Sequence, residues 1–410
     1  MSFAALWESL LPVGRDSGTG GYRRFSWTPA DAECRRWFMK SAEERKLRAD
    51  TDRNGNLWAW WDPPGTADSG ARPAAVVTGS HLDSVPDGGA FDGPLGVVTA
   101  FAAIDLMREH GQVPARPLGV AAFCEEEGAR FGVACLGSRL LAGAIESAAA
   151  RALTDRDGTT LAAAMAAAGH DPAALGPDPG LLASAAVYVE LHIEQGRALA
   201  DLGAVIGVAE RIWPHGRWRL TFTGRPDHAG TTRLGDRRDP LLAAAATILA
   251  AREAAARHGA LATVGKLTVD PGAVNAISSS VTAWLDARAP DDARLRAVVD
   301  DVLAQARAAA VAQDVTLEHA EESVTQAVDF DAALRDRMVA TLAGAGIRAP
   351  VLPTGAGHDA GVLAAQVPAG MLFVRNPTGV SHSPAEYAEP EDCRTGVTAL
   401  AAVLEDLACR

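Results

Sequence analysis

Three stretches of this 410-residue chain constrain its fold most, because each is an apolar run that ends in polar side chains. They are "AAVVTGSHLD" (74–83), "PLGVAAFCEEEG" (117–128) and "SAAVYVELHIEQG" (184–196). A short, nearly unbroken apolar run is what a strand buried on both faces requires. Between the first two, "GVVTAFAAIDLMREHG" (96–111) has helical periodicity and a glycine stop. Strands alternating with helices predict an α/β domain with a largely parallel sheet, and ligand sites in such sheets lie beyond the carboxyl ends of the strands. That is where these polar residues fall.

Upstream, residues 29–49 start with a capping-type Thr-Pro and read as one helix. Near residue 210 the texture changes. "GRWRLTFTG" (216–224) alternates like a strand with one exposed face, followed by a helix over 239–258. Two further strand-like runs (262–272 and 276–288) precede a helix over 291–313. This is a compact α+β unit inserted in the first domain. The α/β texture then returns, with a helix at 331–346, a strand at 370–375 and a C-terminal helix from about 389. The expected boundaries are 1–210 plus 329–410 for the α/β domain and 211–328 for the insertion.

Net charge is −13, which argues against nucleic acid or an anionic membrane surface as a partner. The alanine-rich stretches carry charges and read as soluble helices. Five cysteines without CxxC spacing argue against a disulfide framework or a thiolate zinc site. With an N-terminus lacking a basic and apolar leader, they fit a reducing cytoplasm.

The strand ends supply His81, Asp83, Asp87 and Asp92; Glu125, Glu126 and Glu127; and Glu190, His192, Glu194 and Gln195. "GVSHSPAEYAEP" adds His382 and Glu386. Imidazole with carboxylate suits Zn²⁺ or Mn²⁺, with Co²⁺ or Ni²⁺ as alternatives. No G-x-S-x-G or P-loop lysine offers other chemistry. Each piece has a plain structural reading: His81 a hydrogen-bonded core histidine, the glutamate run a solvated helix start. Four such clusters at the strand ends of one sheet have none. Asp92 between two cations would bridge them, and a water they share would become acidic enough to deprotonate near neutrality. A carboxylate that binds no metal would move that water's proton to the leaving nitrogen, a task for one member of the Glu126-Glu127 pair. Asp83, two residues from His81, is placed to fix its tautomer, and Asp87 reads as a loop residue.

The chain resembles the M20-type metallopeptidase-like amidohydrolases, and within them the allantoate amidohydrolase, N-carbamoyl-L-amino acid hydrolase and β-ureidopropionase branch. The motifs run in order: "GSHLDSVPDGGAFDGPLGV", "EEEGARFG", "ELHIEQG", "GRPDHAGTTRLGDRRDP", "PGAVNAI", "DAR", "TGAGHDA" and "GVSHSPAEY". His192 in "ELHIEQG" separates this branch from the peptidases, which usually carry an acid there.

The resemblance implies a doubly wound catalytic domain and an inserted ferredoxin-like lid and dimerisation domain. One metal would be bound by His81, Asp92 and His192, and a second by Asp92, Glu127 and His382. Glu126 would be the general base for a metal-bridged hydroxide, and Asp83 the orienter of His81. His228 would polarise the scissile carbonyl from the partner subunit of a homodimer. Asn275 and Arg288 would grip the substrate carboxylate, as a planar guanidinium suits a bidentate carboxylate. Gln195 and the "GAGHD" loop, with Gly357 and His358, would contact the ureido end, although His358 could instead brace that loop. The implied substrate is a small anionic ureido acid, allantoate or an N-carbamoyl amino acid. The alternatives are an N-formyl or formimino amino acid, a dipeptidase or aminoacylase activity, and a metal-free scaffold. Trp58, Trp60 and Trp61 read as strand and edge packing.

Overall fold

The computed structural model describes residues 2–64 and 74–409. Its contacts resolve two units, Met1–Glu210 with Asp329–Arg410, and Arg211–Val328.

The first unit begins with β1 (Arg48–Thr51), β2 (Leu57–Trp61), β3 (Ala75–His81), β4 (Leu118–Phe123), β5 (Ala185–Ile193) and β6 (Ile206–Ile212). The chain then builds the second unit from β7 (His215–Thr223), β8 (Asp227–His228), β9 (Leu261–Asp270), β10 (Ala276–Ile277), β11 (Ser280–Arg288) and β12 (Thr316–Thr325). It returns through β13 (Val328–Asp329), β14 (Val351–Thr354) and β15 (Ala369–Val374).

The large sheet has the order β1-β2-β4-β3-β5-β15-β6-β13, with β14 against β6. Its four central strands β4, β3, β5 and β15 are parallel. β2 joins β4, and β6 joins β15, antiparallel. β3 and β4 are buried throughout, as the apolar runs Ala75–Val77 and Leu118–Phe123 require. The helix Pro94–Glu109 packs on β3 and β5 and against the C-terminal helix Pro390–Ala408. Leu95, Val98, Phe101 and Ile104 are fully enclosed there, each side chain contributing about 1.5–3 kcal/mol of apolar burial.

β5 shows how sequence sorts core from chemistry. Val187, Val189, Leu191 and Ile193 join the main core. The alternating Tyr188, Glu190 and His192 therefore take the opposite face. The three tryptophans lie on β2, and Trp58 stacks on Trp60 at 5.5 Å. The helix expected over 29–49 stops at Glu44. Lys46 turns to φ 54, and residues 48–51 pair with β2 instead.

In the second unit the order β12-β7-β11-β9 is antiparallel throughout, with helices Pro240–His258 and Asp292–Ala312 in the connections. This β-α-β-β-α-β path is the ferredoxin-like arrangement. β7 buries Trp218, Leu220 and Phe222 and exposes Arg217 and Arg219, as its alternation predicts. Leu261 and Leu267 on the edge strand β9, and Leu242 and Leu249 on the helix Pro240–His258, are exposed.

Candidate metal centre

Four adjacent parallel strands deliver the candidate residues to one end of the large sheet. His81 is the last residue of β3, Glu125 to Glu127 follow β4, His192 is next to last in β5, and His382 lies beyond β15. Asp92 stands between β3 and the helix Pro94–Glu109, whose N-cap is Gly93. That glycine is required: at φ 84 a Cβ would lie 2.3 Å from His81 Cε1. Its bare backbone lets Asp92 and His81 converge.

Asp92 lies at the centre. Its Oδ1 is 3.3 Å from His192 Nε2 and 3.7 Å from His81 Nε2. Its Oδ2 is 3.3 Å from His382 Nε2, which is 3.5 Å from Glu127 Oε2. One carboxylate thus faces two ligand pairs, one with each oxygen. His192 Nδ1 lies 2.9 Å from the Ile193 carbonyl, a contact that only an N–H can make. In the neutral ring Nε2 then turns a lone pair toward Asp92, and neither it nor His81 Nε2 has a hydrogen-bond partner. Acceptors buried face to face at this range call for a cation between them.

The donor set fits divalent ions. Ligands about 2.1 Å from an ion at tetrahedral angles stand about 3.4 Å apart, which the observed 3.3 to 3.7 Å separations bracket. Glu127 Oε1 is a further buried oxygen without a partner. A third group, Glu190 with His192 and His358, also brings ligand atoms close. The Glu190 oxygens are already engaged by the Ser80 hydroxyl at 2.8 Å and the Ala360 N–H at 2.9 Å.

Glu126 and Glu127 turn to different partners. Glu127 turns to His382, whereas Glu126 Oε2 lies 3.6 Å from His81 Nε2 and Oε1 accepts from the Cys135 thiol at 3.2 Å. Burial pushes the Glu126 carboxyl well above the usual range and that of Glu127 to about 7. The glutamate run is therefore neither solvated nor helical; the next helix starts at Leu136. Glu125, at φ 55, turns away to accept the Arg130 and Phe131 N–H groups.

Asp83 lies against His81, whose Nδ1 is 3.2 Å from the Asp83 carbonyl and 3.4 Å from its carboxylate. That carboxylate also accepts the N–H groups of Glu126 and Glu127, at 3.2 and 3.1 Å. Gln195 donates to Asp92 Oδ2 at 2.9 Å. The His358 ring packs 4.5 Å from that of His192, buried and with Nε2 unpartnered, so burial holds it neutral. Gly357, just before it, borders open space. Asp87 is a loop residue, paired with Arg23 at 3.0 Å.

The other three candidates lie in the second unit. β8 pairs with β10, and Ala229 N donates to the Asn275 carbonyl, which brings His228 and Asn275 together. Arg288, at the end of β11, lies 2.9 Å from the Asp286 carboxylate.

Residues 77–406 match the family model for Peptidase family M20/M25/M40. The chain belongs to this family. Among family members, it is 38% identical to the N-carbamoyl-L-amino acid amidohydrolase of Geobacillus stearothermophilus, over 96% of each chain. It is 34% identical to the allantoate amidohydrolase of Escherichia coli, covering 95% of this chain and 93% of that one. The crystal structure of an amidase of the hydantoinase/carbamoylase family from Burkholderia vietnamiensis superposes with a TM-score of 0.88 at 30% identity, over 100% and 98% of the chains. Among the described residues, no helix is long and apolar enough to cross a membrane.

Proposed function

We propose that this chain, a hydrolase acting on carbon–nitrogen bonds other than peptide bonds, cleaves the ureido or amide C–N bond of a small anionic substrate, allantoate or an N-carbamoyl amino acid. The observation that carries this reading is Asp92, whose two oxygens face separate ligand pairs. His81, Asp92 and His192 would hold one divalent ion, and Asp92, Glu127 and His382 the other, Zn²⁺ or Mn²⁺ fitting the donors. Such ions, when bound, acidify a water and polarise the carbonyl that it attacks.

The protein's own part is to position groups and move a proton. Glu126, with Oε1 held by Cys135 and Oε2 facing His81, takes a proton from the attacking water. As the oxygen–carbon bond forms and the carbon–nitrogen bond breaks, the same carboxyl returns that proton to the leaving nitrogen. A carbamoyl group then leaves as ammonia and carbon dioxide, releasing the amino acid. Gln195 and the loop with Gly357 and His358 would bind the ureido end. The second unit would serve as lid and dimerisation domain, its exposed leucines on β9 and the helix Pro240–His258 supplying an apolar contact. His228, Asn275 and Arg288 would hold the scissile carbonyl and the carboxylate, with His228 acting across a homodimer. The cytoplasm fits an enzyme whose five cysteines are all unpaired.

The test is a substrate panel: allantoate, N-carbamoyl α- and β-amino acids, N-formyl amino acids and dipeptides, assayed for ammonia and free amino acid. Ammonia release from a ureido acid is expected, with loss of activity on chelation and recovery on adding Zn²⁺ or Mn²⁺. Faster dipeptide cleavage, or turnover that survives complete chelation, would overturn it.

A further inference from the structure

Glu386 is 5% exposed and holds together two segments that the chemistry needs at one point. Its Oε2 accepts the N–H groups of Phe91 and Asp92, each at 3.0 Å. Its Oε1 accepts the hydroxyl of Ser381, also at 3.0 Å. The loop before Asp92 is wrapped so closely that a Cβ on Gly89 would stand 2.3 Å from Glu386 Oε2.

The two ion positions differ in what supports them. His81 and His192 sit at the ends of central strands and lean on the carbonyls of Asp83 and Ile193, at 3.2 and 2.9 Å. His382 has no strand beneath it, adopts φ 53, and is about half exposed. Its neighbour Ser381 is the link to Glu386.

That hydroxyl has two acceptors within reach, Glu386 Oε1 at 3.0 Å and Asp92 Oδ2 at 3.3 Å. Asp92 Oδ2 already accepts from Gln195 at 2.9 Å. A carboxylate oxygen offers two lone pairs, so one remains, for an ion or for the serine proton. We propose that Glu386 is a positioning residue that draws the Ser381 proton off the bridging carboxylate and so keeps Asp92 Oδ2 open to the ion shared with Glu127 and His382. This rests on the two-ion reading above. In Glu386→Gln the amide oxygen keeps the backbone N–H groups, but the NH₂ cannot accept. The Ser381 proton then turns to Asp92 Oδ2 and competes with that ion alone.

The experiment is equilibrium dialysis of chelator-stripped protein against Mn²⁺, read as bound metal. Wild type should take up two equivalents. E386Q should bind the first within about threefold of wild type and the second about 10- to 100-fold more weakly, the range for lost outer-shell partners. The double variant E386Q/S381A, which removes the competing proton, should recover the second equivalent to within about threefold. Rescue by a further truncation is not what a merely structural role gives. The proposal is overturned if E386Q binds the second equivalent normally, if both equivalents weaken together, or if S381A brings no recovery. Fewer than two equivalents in wild type would instead sink the two-ion reading itself.

Discussion

Gly93→Ala puts a methyl group where His81 already is. The added carbon would stand 2.3 Å from Cε1, 2.4 Å from Nδ1 and 2.5 Å from Nε2 of the ring. Carbon contacts normally begin near 3.4 Å, so ring or loop must yield by about 1 Å. The ring has nowhere to go: it is 1% exposed and its centroid is 5.7 Å from that of His192. The backbone resists as well, because φ 84 and ψ −60 are strained for any residue with a Cβ, at about 1–3 kcal/mol. If the loop moves instead, it carries Asp92 with it. Metal ligands tolerate about ±0.2 Å, and a 1 Å misplacement in an active site costs on the order of 100-fold in rate. Turnover of G93A should therefore fall about 100-fold, with weaker metal binding and a melting temperature lower by a few degrees. Bound metal by elemental analysis, calorimetric melting and ammonia release measure the three. A G93A protein with both ions at native affinity and turnover within about twofold of wild type would refute the placement of His81 against Asp92.

Glu126→Gln should keep both ions and lose about 10²- to 10⁴-fold in kcat, the usual contribution of a general base; near-normal turnover would remove that assignment. Arg288→Ala should raise KM by about 10- to 100-fold with kcat little changed, since a charge-assisted hydrogen bond contributes about 1.5–3 kcal/mol. An unchanged KM would end its role at the carboxylate. His228→Ala should be nearly inactive alone. If the histidine acts in trans, random mixing with E126Q subunits should restore about a quarter of wild-type activity, because half the dimers regain one intact site; no recovery would place His228 in its own subunit's site.

Much of this site was legible because its residues punctuate strands. Largely apolar runs ending in polar residues put β3, β4 and β5 in the middle of a parallel sheet, and that topology gathers His81, Glu126, Glu127 and His192 at one end. In the folded strand the alternation within "VYVELHI" puts His192 on the face opposite Val189 and Leu191. Local turns were harder to read. The helix expected to reach residue 49 stops five residues earlier, at Glu44, because Lys46 adopts a left-handed turn that its side chain does not announce. A solvated helix start was the plain alternative for the glutamates at 125–127; Glu125 and Glu126 are buried and the next helix begins only at Leu136.

Partners distant in sequence were the least legible. Asp83 was expected only to orient His81, two residues away, and it does lie against that ring. Its carboxylate also receives the N–H groups of Glu126 and Glu127, across a gap in sequence that no spacing rule spans. One residue therefore braces a histidine with its backbone carbonyl and receives the N–H groups of two glutamates on its carboxylate. Those glutamates point opposite ways, Glu126 toward His81 and Glu127 toward His382, because their adjacent N–H groups are pinned to separate oxygens of one acid. Glu386 does the same from the far side, with both N–H groups on one oxygen. Two buried carboxylates outside the proposed ligand set thus fix the backbone on which Asp92, Glu126 and Glu127 ride. Asp92 and Glu127 face different imidazoles, and Glu126 stays turned toward His81, on peptide groups pinned in this way.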